Sequence, residues 1–335
     1  MPLALVTGAS GFVGGHAVER LLQEGFDVRA TDVRPPANGF AKGVEFVEAD
    51  ITKKETLKKA MDGVDNVYHI AAVFDYSTPW EVLHKVNVEG TRNVMEAAGD
   101  ARVKSLVLWG AVASYGLPNP KNLPITEDHP LTAMDVGYDR SKREQEEAAW
   151  KIHKENGVPL TVIRPGGIYG PRSRYGLYAF ILAVAQGWVP GVPTNIDYKL
   201  PAVHVKDVAG AAAFLSKKRE ANGQAYNVVD DNVVDMRHAM KFIAAITDSH
   251  VGDMPPLFPP RVIANLTLGF ARGVEKKYRK KGLKPVFGAE SMQYMKGNYW
   301  VSNEKLKKAG YQLLYPDIRF GLLETVTWYR KEGML

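Results

Sequence analysis

Near the start of the chain, Thr7-Gly8-Ala9-Ser10-Gly11-Phe12-Val13-Gly14 follows directly on the apolar run Leu3 to Val6. The order reads as a strand, a glycine turn and a helix start. Gly8 permits the sharp turn, Gly11 lets backbone amides approach a pyrophosphate, and Gly14 lets the helix press against the strand. Ser10, Phe12 and Val13 complete the expected binding turn. Unpaired N–H groups at the helix start, with the helix dipole behind them, suit two phosphates. A second strand, Asp27 to Thr31, ends at Asp32, 18 residues after Gly14. A carboxylate in that place accepts hydrogen bonds from an adenosine ribose. The pattern T-G-x-x-G-x-x-G departs by one residue from G-x-G-x-x-G, yet with Asp32 it predicts a dinucleotide site. Asp32 would repel a 2′-phosphate, whereas the Arg34 guanidinium would attract one. NAD is the expected coenzyme and NADP the lesser alternative.

Short apolar runs alternate with helical patterns beyond this turn, which argues for βαβ units and a parallel sheet covered on both faces. Strands are expected at Leu3–Thr7, Asp27–Asp32, Val44–Ala49, Asn66–Ile70, Ser105–Trp109, Leu160–Arg164 and Ala225–Val229. Helices are expected at Phe12–Glu24, Lys54–Met61, Val82–Ala98, Tyr138–Asn156 and Asp207–Lys217. The fold class is α/β, a Rossmann-type doubly wound parallel sheet with a smaller C-terminal substrate-binding region. Residues 1–165 with 196–235 would form the coenzyme-binding domain, and 166–195 with 236–335 the substrate-binding region.

The 335 residues give room for such an arrangement, and the absence of cysteine excludes disulfides, thiolate metal sites and a thiol nucleophile. No metal is expected. The first residues read as a core strand and not a signal peptide, and no apolar run reaches the ~20 residues of a membrane span, so a cytoplasmic protein is expected. The formal charge is +6, part of it in Lys276-Lys277-Tyr278-Arg279-Lys280-Lys281 and Lys284. That run reads either as a solvated helix face or, with the apolar residues before it, as a peripheral membrane contact through 257–281. Nucleic acid is not an expected partner, because no recognition motif accompanies the charge.

Tyr138-Asp139-Arg140-Ser141-Lys142 puts a phenol and an ammonium four residues apart, on one face of a helix. A free phenol titrates near ~10 and is a poor base, but a nearby cation lowers that value. Tyr138 can then exchange a proton with an alcohol or carbonyl oxygen, while Lys142 assists it and holds the nicotinamide ribose.

These motifs resemble those of the extended short-chain dehydrogenase/reductases. The likeness runs through Thr7 to Gly14, Asp50-Ile51, His69 to Ala72, Asn87 to Thr91, Tyr138 to Lys142, Arg164-Pro165, Tyr169-Gly170-Pro171 and His204 to Val208. It implies that Asp50 and Ile51 flank the adenine, Ile70, Ala71 and Ala72 the ribose and phosphates, and Pro165 to Ile168 the carboxamide. Asn87 would bind backbone or an ordered water behind the site. A homodimer is usual in that family.

The same resemblance expects a serine or threonine where this chain has Ala111. A methyl group donates no hydrogen bond, and loss of one such donor costs on the order of 10²–10³ in rate. Ser114 is the alternative source of a hydroxyl. No Arg-Asp pair, as in sugar-nucleotide epimerases and dehydratases, precedes His204. The C-terminal part is more similar to the branch of 3β-hydroxysteroid dehydrogenases and dihydroflavonol reductases. The expectation is an NAD-dependent oxidoreductase on an apolar small molecule, sterol-, lipid- or flavonoid-like, with Tyr76, Tyr115, Gly167, Tyr169, Tyr175 and Trp188 as candidate substrate contacts. Nucleotide-sugar epimerisation or dehydration, and coenzyme binding without efficient turnover, are the two competing readings.

Overall fold

A computed structural model gives the fold. It describes the chain except for residues 118, 197, 200, 233, 282–287 and 298 and the side chains at 260, 279, 295 and 296, so Lys284 of the basic run lies outside the described residues. The strands are β1 (Leu3–Thr7), β2 (Asp27–Asp32), β3 (Val44–Glu48), β4 (Asn66–His69), β5 (Ser105–Trp109), β6 (Leu160–Pro165), β7 (Gly167–Tyr169), β8 (Gly191–Pro193), β9 (Ala202–His204), β10 (Gln224–Val228) and β11 (Gly252–Met254). The helices are α1 (Phe12–Gln23), α2 (Lys54–Met61), α3 (Trp80–Leu83), α4 (Gly90–Asp100), α5 (Gly137–Asn156), α6 (Leu177–Ala185), α7 (Val205–Ser216), α8 (Met236–Ile246), α9 (Pro260–Lys280), α10 (Glu304–Lys308) and α11 (Ile318–Lys331). A π-helical segment, His84–Glu89, joins α3 to α4.

Seven strands form one sheet in the order β10-β6-β5-β4-β1-β2-β3, parallel throughout. Each expected strand is present, as are four of the five expected helices, with ends within two residues; the helix expected at Val82–Ala98 is instead divided into α3, the π segment His84–Glu89 and α4. The chain runs outward from β1 through β2 to β3, then returns to place β4 on the other side of β1. Strand order reverses there, and in open α/β sheets ligands bind beyond the C-terminal ends of the strands at such a point. Alternation along the strands sends Ala4, Val6, Val107 and Trp109 to the face covered by α1 and α7. Leu5, Val67, Leu106 and Leu108 go to the face covered by α2, α4 and α5. Side chains of both sets are 0–5% exposed, which is why these strands carry few polar residues.

A third apolar cluster gathers Ile181, Val192, Ile243, Leu322 and Tyr329 from α6, β8, α8 and α11. The chain's end is stitched back to the sheet by Asp207 at the start of α7, whose carboxylate accepts from Leu314 N at 2.6 Å and Tyr315 N at 2.9 Å. The His204 to Val208 element thus serves as a structural clasp.

Helix α5 is fixed to β6 by a buried ion pair. Arg164 donates to Glu146 at 2.6 Å, with the two side chains 6% and 0% exposed, and its other amino group donates to the Tyr115 hydroxyl at 2.6 Å. Removing one partner strands a charge in low dielectric. Glu146→Leu should cost about 3–5 kcal/mol in urea denaturation, whereas Glu146→Leu with Arg164→Met should recover most of the loss. Equal destabilisation of the single and double variants would contradict this account.

Candidate active site

The turn after β1 is built so that only glycine fits. Gly8 has φ +68°, and a Cβ there would lie 2.8 Å from Ala71 Cα. A Cβ on Gly14 would lie 2.0 Å from the Gly8 carbonyl oxygen, so the first turn of α1 sits directly on the loop. Gly11 caps α1 without any side-chain hydrogen bond, leaving the helix's first amides to a ligand. Asp32 stands at the end of β2 beside this turn and accepts from Ser10 N at 3.1 Å and Val33 N at 2.8 Å. The Ser10 hydroxyl donates to the Arg34 carbonyl at 2.7 Å, while the Arg34 side chain is exposed. Phe12 packs edge-on against His16, and Val13 packs on the sheet core.

The loop after β4 is held to β1 by Thr7. Its hydroxyl accepts from Ile70 N and Ala71 N, both at 3.2 Å, and bonds His69 Nδ1 at 2.8 Å; His69 Nε2 reaches Thr91 at 2.8 Å. Burial, and then the Lys142 charge, pull His69 down to about 3, so it is neutral. Ile70 and Ala71 are half-buried and Ala72 exposed on this loop. Asp50 accepts from the Thr52 amide and hydroxyl, and Ile51 packs against Gly90, so both mark the rim past β3. Asn87, wholly buried in the π segment, accepts from Val73 N at 2.7 Å and donates to Val73 O and to the Ser141 hydroxyl at 2.9 Å. Of its two expected roles, it takes the backbone one, and it ties the loop to α5.

On α5, Tyr138 and Lys142 share the inward face and are 8% and 3% exposed. The expected coupling between them is absent in this arrangement: Lys142 donates to the Trp109 carbonyl at 2.7 Å. Burial, opposed by Glu146, pulls its ammonium down to about 7. Burial and then the Asp139 charge raise the Tyr138 phenol above its ordinary value, the reverse of the shift expected from a lysine cation. The phenol therefore stays protonated at neutral pH.

Tyr138 faces an apolar cavity of about 450 Å³. Its walls come from both halves of the chain: residues 74–76, 111–113 and 165–167 on one side, and Leu177, Phe180, Met236, Met240 and Met292 on the other. Tyr76, Gly167, Tyr175, Pro165 and Ala111 are among them, whereas Ile168 turns toward the sheet core. Three candidate aromatics lie elsewhere. Tyr115 and Tyr169 are in the interior, where their hydroxyls serve Asn227 and Asp230, and Trp188 projects into solvent at 68% exposure. Ser114 is also displaced from the cavity; its hydroxyl is fully buried without a hydrogen-bond partner. At position 111 the cavity meets a methyl group, packed with Leu83, Ala113 and Tyr138. Trp109 belongs to the sheet core.

One group was absent from the expectations. Asp139 is 0% exposed and accepts from the Tyr76 hydroxyl at 3.0 Å and the Tyr294 hydroxyl at 2.9 Å. Tyr76 and Tyr294 both border the cavity, and the Tyr138 ring lies 5.1 Å from that of Tyr76. A signal existed, since Asp139 precedes Lys142 by three residues and Glu146 by seven, on the inward stripe of α5. Among the described residues, no group of three His, Cys, Asp or Glu side chains is placed to hold a metal ion, and no helix is long and apolar enough to cross a membrane.

Residues 4–229 match the family described as NAD dependent epimerase/dehydratase. The chain belongs to this family. It is an enzyme family of the extended short-chain dehydrogenase/reductase type, and its coenzyme is NAD. Cinnamoyl-CoA reductase 1 of Petunia hybrida is 31% identical over 235 residues, 65% of this chain and 70% of the reductase. Sterol-4-alpha-carboxylate 3-dehydrogenase, decarboxylating, of Bos taurus is 31% identical over 236 residues, 68% of this chain and 65% of the dehydrogenase. An Escherichia coli O157:H7 undecaprenol-linked N-acetylglucosaminyl 4-epimerase is 30% identical over 76% of this chain and 75% of the epimerase. Among solved structures, gox2253 is 28% identical with a TM-score of 0.79 over the full length of both chains. UDP-glucose 4-epimerase of Thermotoga maritima, at 21% identity and a TM-score of 0.76 over 99% of each chain, shares the fold.

The residues present fit NAD. The glycine turn leaves a cradle that a Cβ would fill, the first amides of α1 have no capping side chain, and the Asp32 carboxylate stands one strand away.

Burial pushes the Asp139 carboxyl up to about 7 against the two phenol hydrogen bonds that lower it. A carboxyl whose folded value exceeds its unfolded value of 3.8 binds its proton more tightly in the native state. Its stabilising contribution is full below pH 3.8 and is lost as pH rises through about 7. In denaturant titrations from pH 4 to 8, the wild type should therefore lose stability relative to Asp139→Asn. A difference that stays constant over that range would refute the assignment.

Proposed function

We propose that this chain is an NAD-dependent oxidoreductase interconverting a secondary alcohol and a ketone on an apolar, sterol-, lipid- or flavonoid-like small molecule. The observation that carries this is the cavity itself, about 450 Å³ of nearly wholly apolar wall with the Tyr138 phenol facing it. The reductase and dehydrogenase names of its relatives support the same class. Residues 166–195 with 236–335 act as the substrate-binding region, contributing Tyr175, Leu177, Phe180, Met236 and Met240 to the wall.

Gly8, Ser10, Gly11 and the first residues of α1 hold the pyrophosphate, Asp32 the adenosine ribose, and Lys142 the nicotinamide ribose. Asp50, Ile51 and Ile70 to Ala72 line the coenzyme's path, with Pro165 toward the substrate. Bound NAD supplies the oxidising or reducing equivalent. Tyr138 moves the proton at the substrate oxygen: it donates to a ketone oxygen, or accepts from an alcohol once deprotonated. Because burial keeps the phenol protonated, reduction proceeds at neutral pH while oxidation gains as pH rises. A bound nicotinamide ribose would compete with the Trp109 carbonyl for the Lys142 ammonium, and a cation nearer the phenol would favour its deprotonation. Ala111 leaves the reacting oxygen with one protein donor in place of two.

Absorbance of NADH tests this with steroid, flavonoid, acyl and nucleotide-sugar substrates. Tyr138→Phe should lower kcat by about 10²-fold or more while calorimetry shows NAD uptake unchanged. Ala111→Ser should raise kcat by up to about 10²-fold. Conversion of a nucleotide sugar without net NADH would replace this reading with epimerisation. NAD uptake without turnover, even in Ala111→Ser, would replace it with a binding protein.

A further inference from the structure

Helix α9 presents two unlike faces. Ala264, Leu268 and Ala271 are buried, and Leu268 and Ala271 pack against Phe180, Ala289 and Met292 at the cavity's back wall. On the opposite side Val262, Leu266 and Phe270 follow one another at i, i+4 and i+8, with Leu266 62% and Phe270 72% exposed. Leu257 and Phe258, just before the helix, are 72% and 51% exposed. At about 100° per residue, Lys277, Lys280 and Lys281 continue the same stripe beyond Phe270. All three are exposed, and no described carboxylate pairs with them.

The acidic residue of the helix, Glu275, is turned inward and accepts from Ala289 N at 2.9 Å. The outward face is thus apolar over its first half, cationic at its end and free of carboxylates. An apolar stripe that ends in lysines matches the acyl region and headgroups of an anionic bilayer surface. A second copy of the chain would instead bring more cations to this face without anions to meet them.

We propose that α9 and the residues leading into it form a docking surface for an anionic phospholipid membrane. The helix lies in the interface with Leu257, Phe258, Val262, Leu266 and Phe270 among the acyl chains and the lysines at the headgroups. Its far side packs behind Phe180 and Met292 of the cavity wall, so docking would bring the apolar cavity near the lipid phase. The inference stands apart from the substrate assignment, because membrane binding is measured without turnover.

Flotation of the full chain with phosphatidylcholine vesicles, with and without phosphatidylserine, at low and high salt, tests it. The expected result is at least about tenfold stronger binding to the phosphatidylserine vesicles, lost at high salt. Lys277→Gln/Lys280→Gln/Lys281→Gln should reduce binding to the phosphatidylcholine level, and Leu266→Ser/Phe270→Ser should abolish it. Both variants should keep the wild-type melting temperature and NAD uptake. Absence of flotation in the wild type, or wild-type flotation by either variant, would overturn the proposal. So would a dimer in gel filtration that Leu266→Ser/Phe270→Ser dissociates while vesicles fail to bind.

Discussion

The site depends on how α5 is registered against the sheet. Tyr138, Lys142 and Glu146 stand at successive four-residue steps on its inward face, and each is anchored at a different depth. Glu146 meets Arg164 of β6, Lys142 meets the end of β5, and Tyr138 reaches the cavity. Burying the ion pair gains little net energy, because desolvation offsets most of the attraction. What the pair does supply is position: sliding the helix by a turn would separate two desolvated charges. The same register carries Asp139 behind the wall beside Tyr138, where it holds the hydroxyls of Tyr76 and Tyr294.

The methyl at position 111 changes the character of this wall. A hydroxyl there would add a donor beside Tyr138, whereas the polar groups near that phenol are the hydroxyls of Tyr76 and Tyr294, both directed at Asp139. Tyr299 adds a further hydroxyl, donated to the Val112 carbonyl. The two bonds to Asp139 join loop 73–77, α5 and the 289–296 segment around one carboxyl group. The cavity remains apolar because its polar atoms are occupied with one another.

Much of this was legible in the chain. The glycine turn, Asp32 and the alternation of strands with helices are local signals, and every residue in them acts within its own βαβ unit. That Tyr138 and Lys142 share one face of a helix was legible for the same reason. Roles set by distant partners were not. Tyr294 meets Asp139 across 155 positions, and no spacing rule connects them. Tyr115 and Tyr169 look like pocket aromatics, yet the hydroxyl of the first is taken by Arg164 and Asn227 and that of the second by Asp230, partners that only the folded sheet brings near. Trp188 sits on the turn between α6 and β8 and projects into solvent. In this arrangement the Lys142 ammonium is held by the Trp109 carbonyl, a backbone partner invisible in a side-chain pattern.

The wide turn at His84–Glu89 has its own consequence. A π turn accommodates an extra residue and so resets the phase of the helix that follows. Before it, Leu83 packs under Tyr138; within it, Asn87 bridges the 73–77 loop and α5; after it, Thr91 meets His69. Leu83, Asn87 and Thr91 stand four residues apart and meet Tyr138, Ser141 and Gln145 in turn, so all three also face α5. Deleting one residue here would rotate one end by about 100° relative to the other. A change of length between Trp80 and Asp100 would therefore turn part of that face away from α5, whatever the side chains.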